Sequence, residues 1–335
     1  MSDSITQYSV YVSHLCKRYG EINALDDLSF SIQKGEILGF LGPNGAGKST
    51  TMKILSGLVP ATSGHAYVCG KSVSNNVQEV KNHIGFMPEN NPLPDEMRVI
   101  EYLRYRARLK GIARSAVKKR VDEVMELCEL HRKAAYRIIS NLSKGYRQRV
   151  GIADAILSKP DLIIMDEPTI GLDPHQILSI RNLINSLRGD MSVIISSHIL
   201  PEIELVCDRV IIINQGTIVA NGSPASLRNE FLPSYRFAVE AKVSQENFDI
   251  ILKKIDTSLV LESCDEIVDS SFNKFIVSSQ ENKKLGEDLI YELSKDSSLR
   301  LREIYEIKPS LEDIFMAATK RNWENIRDIK QRGGK

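Results

Sequence analysis

Residues 36–57 constrain the fold more than any other stretch, because an apolar run, a glycine-rich loop and a helical pattern follow one another there. Residues 36–41 (EILGFL) predict a buried β-strand, and the loop GPNGAGKST follows at 42–50. The loop matches G-x-x-x-x-G-K-[ST] without a gap, between a strand and a helix as that pattern requires. Its glycines permit a tight turn, so backbone N–H groups at the helix start can point at phosphate oxygens. The stretch therefore predicts an α/β fold with a loop that binds the phosphates of a nucleotide.

The side chains of this loop predict how the phosphates are held. Lys48 is expected to reach the β- and γ-phosphates, and Ser49 to bind Mg²⁺. An ordinary glycine-rich turn is the alternative, but it would leave the Lys-Ser pair without a purpose. The loop residues expected to contact the nucleotide are Gly42, Pro43, Asn44, Gly45, Ala46, Gly47, Lys48, Ser49 and Thr50.

Two carboxylates directly follow the apolar run at 162–165 (LIIM). A strand of this kind carries its last residues to the sheet edge where the phosphate loop begins. Asp166 is predicted to hold Mg²⁺, directly or through water. Glu167 is predicted to be the general base that polarises the water attacking the γ-phosphate. The alternative is a strand that simply ends in polar residues.

Two further side chains are candidates because of where they stand. His198 follows the apolar run at 193–195 and is predicted to hydrogen-bond the γ-phosphate. Tyr19 stands in KRYG, just before an expected hairpin, and is predicted to stack on the adenine ring. The alternative for Tyr19 is an ordinary aromatic residue of a turn.

Residues 142–149 (LSKGYRQR) are built like a second anion-binding helix start. Ser143 is a good N-cap, and Val150, Ala153 and Leu157 give the following helix one apolar face. The chain contains no second nucleotide loop for this helix to serve. A nucleotide on a second copy of the chain resolves this mismatch.

The pattern of elements divides the chain into regions. Strands and helices alternate over 1–225, with two amphipathic helices at 97–111 and 116–130. Residues 226–319 predict a small α+β domain, arranged as a split βαβ unit, whose role as dimer clamp, regulatory domain or permease contact is open. Residues 320–335 are basic and predict a flexible, solvated tail.

Composition restricts the class of protein and its partners. The 335 residues are 42% hydrophobic and 26% charged, as in water-soluble globular proteins. A net charge of +1 does not indicate a nucleic-acid partner. The five scattered cysteines predict neither zinc-ligand spacing nor a disulfide framework, which favours a reducing cytoplasm. Neither a signal peptide nor a membrane span is expected, because the apolar runs are only as long as strands.

The motifs occur in a specific order, namely KRYG (17–20), GPNGAGKST (42–50), IGFMPE (84–89), LSKGYRQRV (142–150), LIIMDEP (162–168), GLDP (171–174) and ISSH (195–198). Over residues 5–222 this order resembles the ATP-binding subunit of ABC transporters. PENNPL (88–93) together with LSKGYRQR is similar to exporter ATPases of the ABC-2 type, including those associated with gliding motility. REIYEIKPSLEDIF (302–315) resembles the C-terminal extension common among such exporter subunits. The resemblance implies a P-loop NTPase of the ABC type, with a mixed sheet core, a helical subdomain at about 90–160 and a small C-terminal α+β domain.

The resemblance also implies a head-to-tail homodimer that encloses two ATP molecules with Mg²⁺. Ser143 and Gly145 of one chain would cover the γ-phosphate held by Lys48 of the other, and Asp173 would line the interface. Glu89 stands where the family usually has glutamine, and it is expected to bind Mg²⁺ while adding negative charge. The family's signature motif is commonly L-S-G-G-Q. In the matching stretch LSKGYRQR, Lys144 and Tyr146 replace its first glycine and its glutamine.

The expected activity is ATP hydrolysis that drives a separate membrane permease in export. The protein would then be cytoplasmic and peripheral on the inner face of the membrane. The family docks its permease at about residues 90–112, where the aromatic and basic residues are Tyr102, Arg104, Tyr105, Arg106 and Arg108. The alternatives are an ABC-type ATPase that acts on ribosomes or DNA, and a nucleotide-binding regulatory module that does not hydrolyse. The single phosphate loop argues against the first, and Glu167 with His198 argues against the second.

Overall fold

The computed structural model describes residues 5–130, 134–197, 199–231, 235–256, 258–267, 271–279, 285–295 and 300–320. The chain divides into two compact units. The first includes Met1–Pro224, and the second is Ala225–Ala317.

The first unit is built from alternating strands and helices. Its strands are β1 (Tyr8–Tyr19), β2 (Ile22–Gln33), β3 (Ile37–Leu41), β4 (Ser63–Val68), β5 (Lys71–Ser72), β6 (Ile84–Met87), β7 (Leu162–Asp166), β8 (Ser192–Ser196), β9 (Arg209–Asn214) and β10 (Thr217–Gly222). Its helices are α1 (Lys48–Leu55), α2 (Val77–His83), α3 (Val99–Leu109), α4 (Val117–Leu127), α5 (Lys144–Ile156), α6 (Pro174–Ser186) and α7 (Leu200–Val206).

The strands form two sheets. One has six strands in the order β10-β9-β3-β8-β7-β6, parallel except for the antiparallel edge pair β10 and β9. The other is antiparallel, in the order β2-β1-β4-β5. The five residues of β3, β7 and β8 are all buried, as expected for central strands covered on both faces. The mixed sheet confirms the predicted α/β fold.

One apolar core joins the two sheets. It contains side chains of both sheets together with Met52, Ile54 and Leu55 of α1. The Phe30 and Phe40 rings meet there with centroids 5.8 Å apart. The buried face of α1 packs into this core, and the end of the loop at Gly47 lies against Leu25 of β2 and Ile213 of β9.

A group of helices lies between β6 and β7 in the chain. Arg106 of α3 donates from Nε to the Asp154 carboxylate of α5 at 2.8 Å, and the Tyr102 hydroxyl lies 3.3 Å from the same carboxylate. Tyr102 is therefore buried and Arg106 is committed to an internal contact, so these two residues do not belong to the aromatic and basic surface expected on this helix. Docking of a permease at residues 90–112 stays a prediction. Tyr105 and Leu109 are the large apolar side chains that α3 exposes.

The second unit is a small α+β structure. Its elements are α8 (Pro224–Phe231), β11 (Tyr235–Lys242), α9 (Gln245–Ile255), β12 (Val260–Glu266), β13 (Asn273–Ser279), α10 (Leu285–Lys295) and β14 (Arg300–Glu306). The antiparallel sheet has the order β12-β13-β11-β14, so β13 lies between the two strands that α9 connects. This is a split βαβ arrangement, and the stacked rings of Phe248 and Phe275 lie in its core.

A last helix covers residues 311–320. The predicted basic tail falls on 320–335, and all of it after residue 320 lies outside the described residues. Within the described ranges, every helix is too short or too polar to span a bilayer.

Candidate nucleotide-binding site

A cavity of about 560 Å³ opens at the carboxyl ends of β3 and β7. Nearly all of the predicted phosphate loop lines it, together with the three predicted carboxylates. The lining residues are Ala24, Gly42, Pro43, Asn44, Gly45, Gly47, Lys48, Ser49, Thr50, Glu89, Asp166, Glu167 and Ile170. The fold therefore brings side chains from four separate stretches of the chain to one place.

The loop is held in shape by its glycines and by Lys48. Gly47 has a φ of 111°, which only glycine adopts without strain. A Cβ at Gly42 would lie 2.4 Å from the backbone oxygen of Ile213, so a larger residue cannot fit. Lys48 Nζ donates to the carbonyl oxygens of Gly42 at 2.7 Å and Pro43 at 3.2 Å. The ammonium group thus lies inside the curve of the loop.

Ser196 contacts both residues at the end of β7, the carboxylate of Asp166 and the backbone of Glu167. Its hydroxyl donates to Asp166 Oδ1 and accepts a hydrogen bond from the Glu167 N–H at 3.0 Å. Glu167 has a φ of 53°, in the left-handed region that non-glycine residues rarely adopt. Strained conformations of this kind persist where the surroundings determine them, and they cluster at functional sites. The buried Ser196 supplies that constraint.

The electrostatics of the cavity centre on Lys48. Burial lowers the pKa of its ammonium group, while Glu167, Asp166 and Glu89 oppose that decrease. These carboxylates are thus close enough to act on the lysine charge. One cation facing three carboxylates suits a ligand that brings a divalent cation with its phosphates.

The signature residues occupy a different place. Ser143 caps α5 by accepting from the Tyr146 N–H at 3.5 Å, and Asp173 caps α6 by accepting from the Gln176 N–H at 2.9 Å. A Cβ at Gly145 would lie 2.5 Å from Gln176 Oε1, so the two helix starts are neighbours within one chain. Among the described residues, neither Ser143, Gly145 nor Asp173 lines the cavity around Lys48.

Lys144 faces the loop before α6. A Cβ at Gly171 would lie 2.3 Å from Lys144 Nζ, and Gly171 has a φ of 68°. The lysine that departs from the common signature therefore lies against the GLDP turn of its own chain.

Two other predicted residues, Tyr19 and Ala46, lie outside the cavity lining. Tyr19 is the last residue of β1, inside the first hairpin rather than before it, and Lys17 Nζ lies 4.8 Å from its ring centroid. Ala46 is buried and accepts from the Gly216 N–H at 2.9 Å, which fastens the loop. His198 lies outside the described residues.

Sequence reasoning missed residues that the structure brings to the site. Ala24 and Ile170 line the cavity, and Ser196 holds Asp166 and Glu167. Ser196 belongs to the motif ISSH (195–198), two positions before His198. Its place in that motif could have identified it as a residue of the site. Ala24 and Ile170 had none, because small and apolar residues carry no chemical pattern.

Comparison with known proteins agrees with this geometry. The family model described as ABC transporter matches residues 25–170. Linearmycin resistance ATP-binding protein LnrL of Bacillus subtilis is 32% identical over 306 residues, which cover 91% of this chain and 96% of that protein. Nod factor export ATP-binding protein I of Ralstonia nicotianae is 34% identical over 217 residues, covering 64% and 67%.

A solved structure gives the same result. It is a dimeric, post-hydrolysis ATP-binding cassette bound to ADP and Pi, with a TM-score of 0.59 and 25% identity. The structural match covers 64% of this chain and 98% of the solved chain. The chain therefore belongs to the ATP-binding subunits of ABC transporters. It binds ATP and is an ATPase.

Proposed function

We propose that two copies of this chain close head to tail around two ATP molecules with Mg²⁺, and that this cycle drives an integral-membrane permease. The observation that carries the proposal is the position of the signature helix start. Ser143 is exposed and caps α5, and Gly145 stands in the first turn, yet neither lines the cavity of its own chain. A helix N-terminus favours anions, so a phosphate on a second copy is a fitting ligand.

The chain's own residues would act on the substrate as follows. Lys48 exchanges its bonds to the loop carbonyls for the β- and γ-phosphate oxygens, while the loop N–H groups hold the remaining phosphate oxygens. Glu167, anchored by Ser196, accepts the proton of the attacking water. His198 would hydrogen-bond the γ-phosphate, and Tyr19 would stack on the adenine.

The residues around the cavity also suit Mg²⁺. This ion prefers hard oxygen ligands, and the cavity presents the hydroxyl of Ser49 with the carboxylates of Asp166 and Glu89. When bound, the ion neutralises charge on the β- and γ-phosphate oxygens. Glu89 adds a negative charge where a glutamine would be neutral, so we expect it to strengthen retention of the cation.

The permease contact would lie on the exposed part of α3, at Tyr105, Arg108 and Leu109. Because α3 is bonded to α5 through Asp154, movement of the signature helix would reach this surface. Export is the direction we propose, because a similar protein is named for Nod factor export. The chain would then work in the cytoplasm on the inner face of a membrane.

The head-to-tail dimer is tested with Ser143→Arg in a Glu167→Gln background, in which slow hydrolysis preserves the closed state. ATP should convert the Glu167→Gln protein to a dimer, as measured by light scattering after gel filtration. Adding Ser143→Arg should abolish that dimer while leaving the affinity of the monomer for ATP within ~3-fold, since the serine contacts only the opposite nucleotide. Ser115→Arg, at another exposed serine of the helical region, is the matched control and should dimerise normally.

Two results would contradict the proposal. One is an equal loss of monomer ATP binding in Ser143→Arg, which would put the serine at its own chain's nucleotide. The other is an ATP-dependent dimer that Ser143→Arg leaves intact. The role of Glu167 is tested separately, since Glu167→Gln should lower the rate of hydrolysis by ~10²-fold or more.

A further inference from the structure

A second cluster of polar side chains lies at the opposite end of the parallel sheet from the nucleotide cavity. Cys69, His83 and Asp161 each offer one ligand atom, and these three atoms all lie within 4.8 Å of one another. Asp161 precedes β7 and Asp166 ends it, so five residues of strand, or about 16 Å, separate the cluster from the nucleotide site. Nothing in the proposed ATPase cycle uses these side chains.

The sheet register brings two of the three together. β6 and β7 are parallel, and Ile84 pairs with Leu162. His83 and Asp161 are the residues directly before that pair, so they enter the sheet side by side. His83 Nδ1 lies 2.6 Å from Asp161 Oδ2, which already orients the imidazole towards the carboxylate.

Cys69 reaches the same place from the other sheet. It forms the two-residue turn between β4 and β5 with Gly70, and both have positive φ, as a type I′ hairpin turn requires. Such turns favour Asn, Asp or Gly at the first position, so a cysteine there is not explained by the turn itself.

A chain of hydrogen bonds fixes the position of Cys69 relative to Asp161. The Cys69 N–H donates to the Ser9 carbonyl at 2.9 Å, and the hydroxyls of Ser9 and Ser192 lie 2.5 Å apart. The Ser192 N–H then donates to the Asp161 carbonyl at 2.9 Å. Cys69 and Asp161 are thus linked through backbone and buried hydroxyl contacts, and the sheet register places His83 beside Asp161.

We propose that Cys69, His83 and Asp161 form a zinc-binding site whose fourth ligand is water. Thiolate, imidazole and carboxylate are the ligands that zinc accepts in proteins, and a soft thiolate disfavours Mg²⁺ and Ca²⁺. Ligand atoms on one tetrahedral ion lie about 3–4 Å apart, given Zn–S and Zn–N distances of about 2.3 and 2.0 Å. His83 Nδ1 and Asp161 Oδ2 are 2.6 Å apart, so binding of the ion would replace their hydrogen bond and move these two atoms slightly apart.

The pKa of the Cys69 thiol sets the pH at which zinc binding is measured. Burial raises the pKa of Cys69 to about 11, Asp161 adds to the rise, and Lys34 opposes it. The thiol is therefore protonated at neutral pH, and a bound cation must displace that proton. Binding is best measured at about pH 8 with a reductant that is not itself a thiol.

The direct test is titration of the full-length, chelator-treated protein with Zn²⁺, against a chromophoric chelator and without nucleotide. The wild type should bind about one ion per chain, and Cys69→Ser and His83→Gln should each lose that ion. Cys264→Ser removes a half-buried cysteine of the second unit and should keep it. Asp166→Asn should keep it too, because the nucleotide cavity is a separate place.

Cobalt gives a second readout that depends on the thiolate itself. Co²⁺ added to the wild type should produce thiolate-to-metal charge-transfer absorption, which Cys69→Ser should lose and Cys264→Ser should retain. Retained ATP binding would show that the variants are folded. Equal zinc affinity in wild type and Cys69→Ser would overturn the proposal, as would loss of the ion in Asp166→Asn.

Discussion

Asp154 is the residue whose replacement should most clearly reveal how the helical region is held together. Its side chain is only 13% exposed, and it accepts from Arg106 Nε at 2.8 Å and the Tyr102 hydroxyl at 3.3 Å. Lys110 Nζ lies 3.7 Å from the carboxylate and donates to the Asp154 backbone oxygen at 2.7 Å. Asp154→Asn keeps the shape of the side chain but removes the charge that two cations share.

The expected cost follows from the exposure of those cations. Removing one partner of a buried ion pair costs about 3–5 kcal/mol. Arg106 is 35% exposed, so water can solvate its charge when the carboxylate is removed. Lys110 is only 19% exposed, so its unpaired charge costs more. We therefore expect the local free energy of opening to fall by about 2 kcal/mol, which corresponds to ~30-fold faster amide exchange.

Hydrogen–deuterium exchange of peptides covering Val99–Leu109 measures this effect where it arises. Tyr102→Phe is the matched control, because it removes one neutral donor and should cost less than about 1 kcal/mol, or at most ~5-fold in exchange. The reasoning would be refuted if Asp154→Asn exchanged within ~3-fold of the wild type. Equal effects of Asp154→Asn and Tyr102→Phe would also refute it, since the shared charge would then contribute nothing.

The pH dependence has a definite sign. Burial lowers the pKa of Lys110 in the folded protein, and Asp154 opposes that decrease. Without the carboxylate, the folded state holds the Lys110 proton less tightly than the unfolded state does. The destabilisation of Asp154→Asn should therefore be complete below the lowered pKa of Lys110. It should shrink as the pH rises through the lowered pKa of Lys110 towards the value of an unfolded lysine. Denaturation followed by circular dichroism at neutral and alkaline pH checks this.

Two further predictions concern catalysis and thiol reactivity. Ser196→Ala removes the hydroxyl that bonds to the Asp166 carboxylate and to the Glu167 N–H. In steady-state assays of ATP hydrolysis, kcat should fall by ~10-fold or more while KM stays within ~3-fold. An unchanged kcat would mean that the serine does not position these two residues. Burial raises the pKa of Cys128 to about 12 and also raises that of Cys207, so neither thiol should be alkylated in the native protein at pH 8. Mass spectrometry should detect both adducts only after unfolding, and rapid native labelling of either cysteine would contradict their burial.

The glycine-rich turn at residues 42–50 and the fold class were predictable because both depend on local chemistry. A loop of the form GPNGAGKST needs positive-φ glycines and a lysine at set spacing, whatever surrounds it. The strands β3, β7 and β8 were also predictable, because their continuous apolar residues indicate buried strands. These features can be read from neighbouring residues alone.

The surfaces of α3 were harder to predict, since helical spacing indicates which residues share a face but not what that face meets. Tyr102 and Arg106 have the composition of a docking surface, yet both turn towards Asp154, which stands some fifty positions later in the chain. Only the packing of α3 against α5 shows that they are internal. Tyr105 and Leu109 are exposed because they lie on the opposite side of the same helix.

The sequence by itself determined the class of the protein, and it located the glycine-rich loop before α1 and the two carboxylates at the end of β7. It also raised the problem of LSKGYRQR, a helix start suited to an anion without a nucleotide loop of its own. Tertiary structure alone decided which distant residues meet. Ser196 joins Asp166 and Glu167, Lys144 faces Gly171, and Cys69 reaches His83 and Asp161. The physical reason is that residue types carry their chemistry locally, whereas strand register and helix packing set the distances between them.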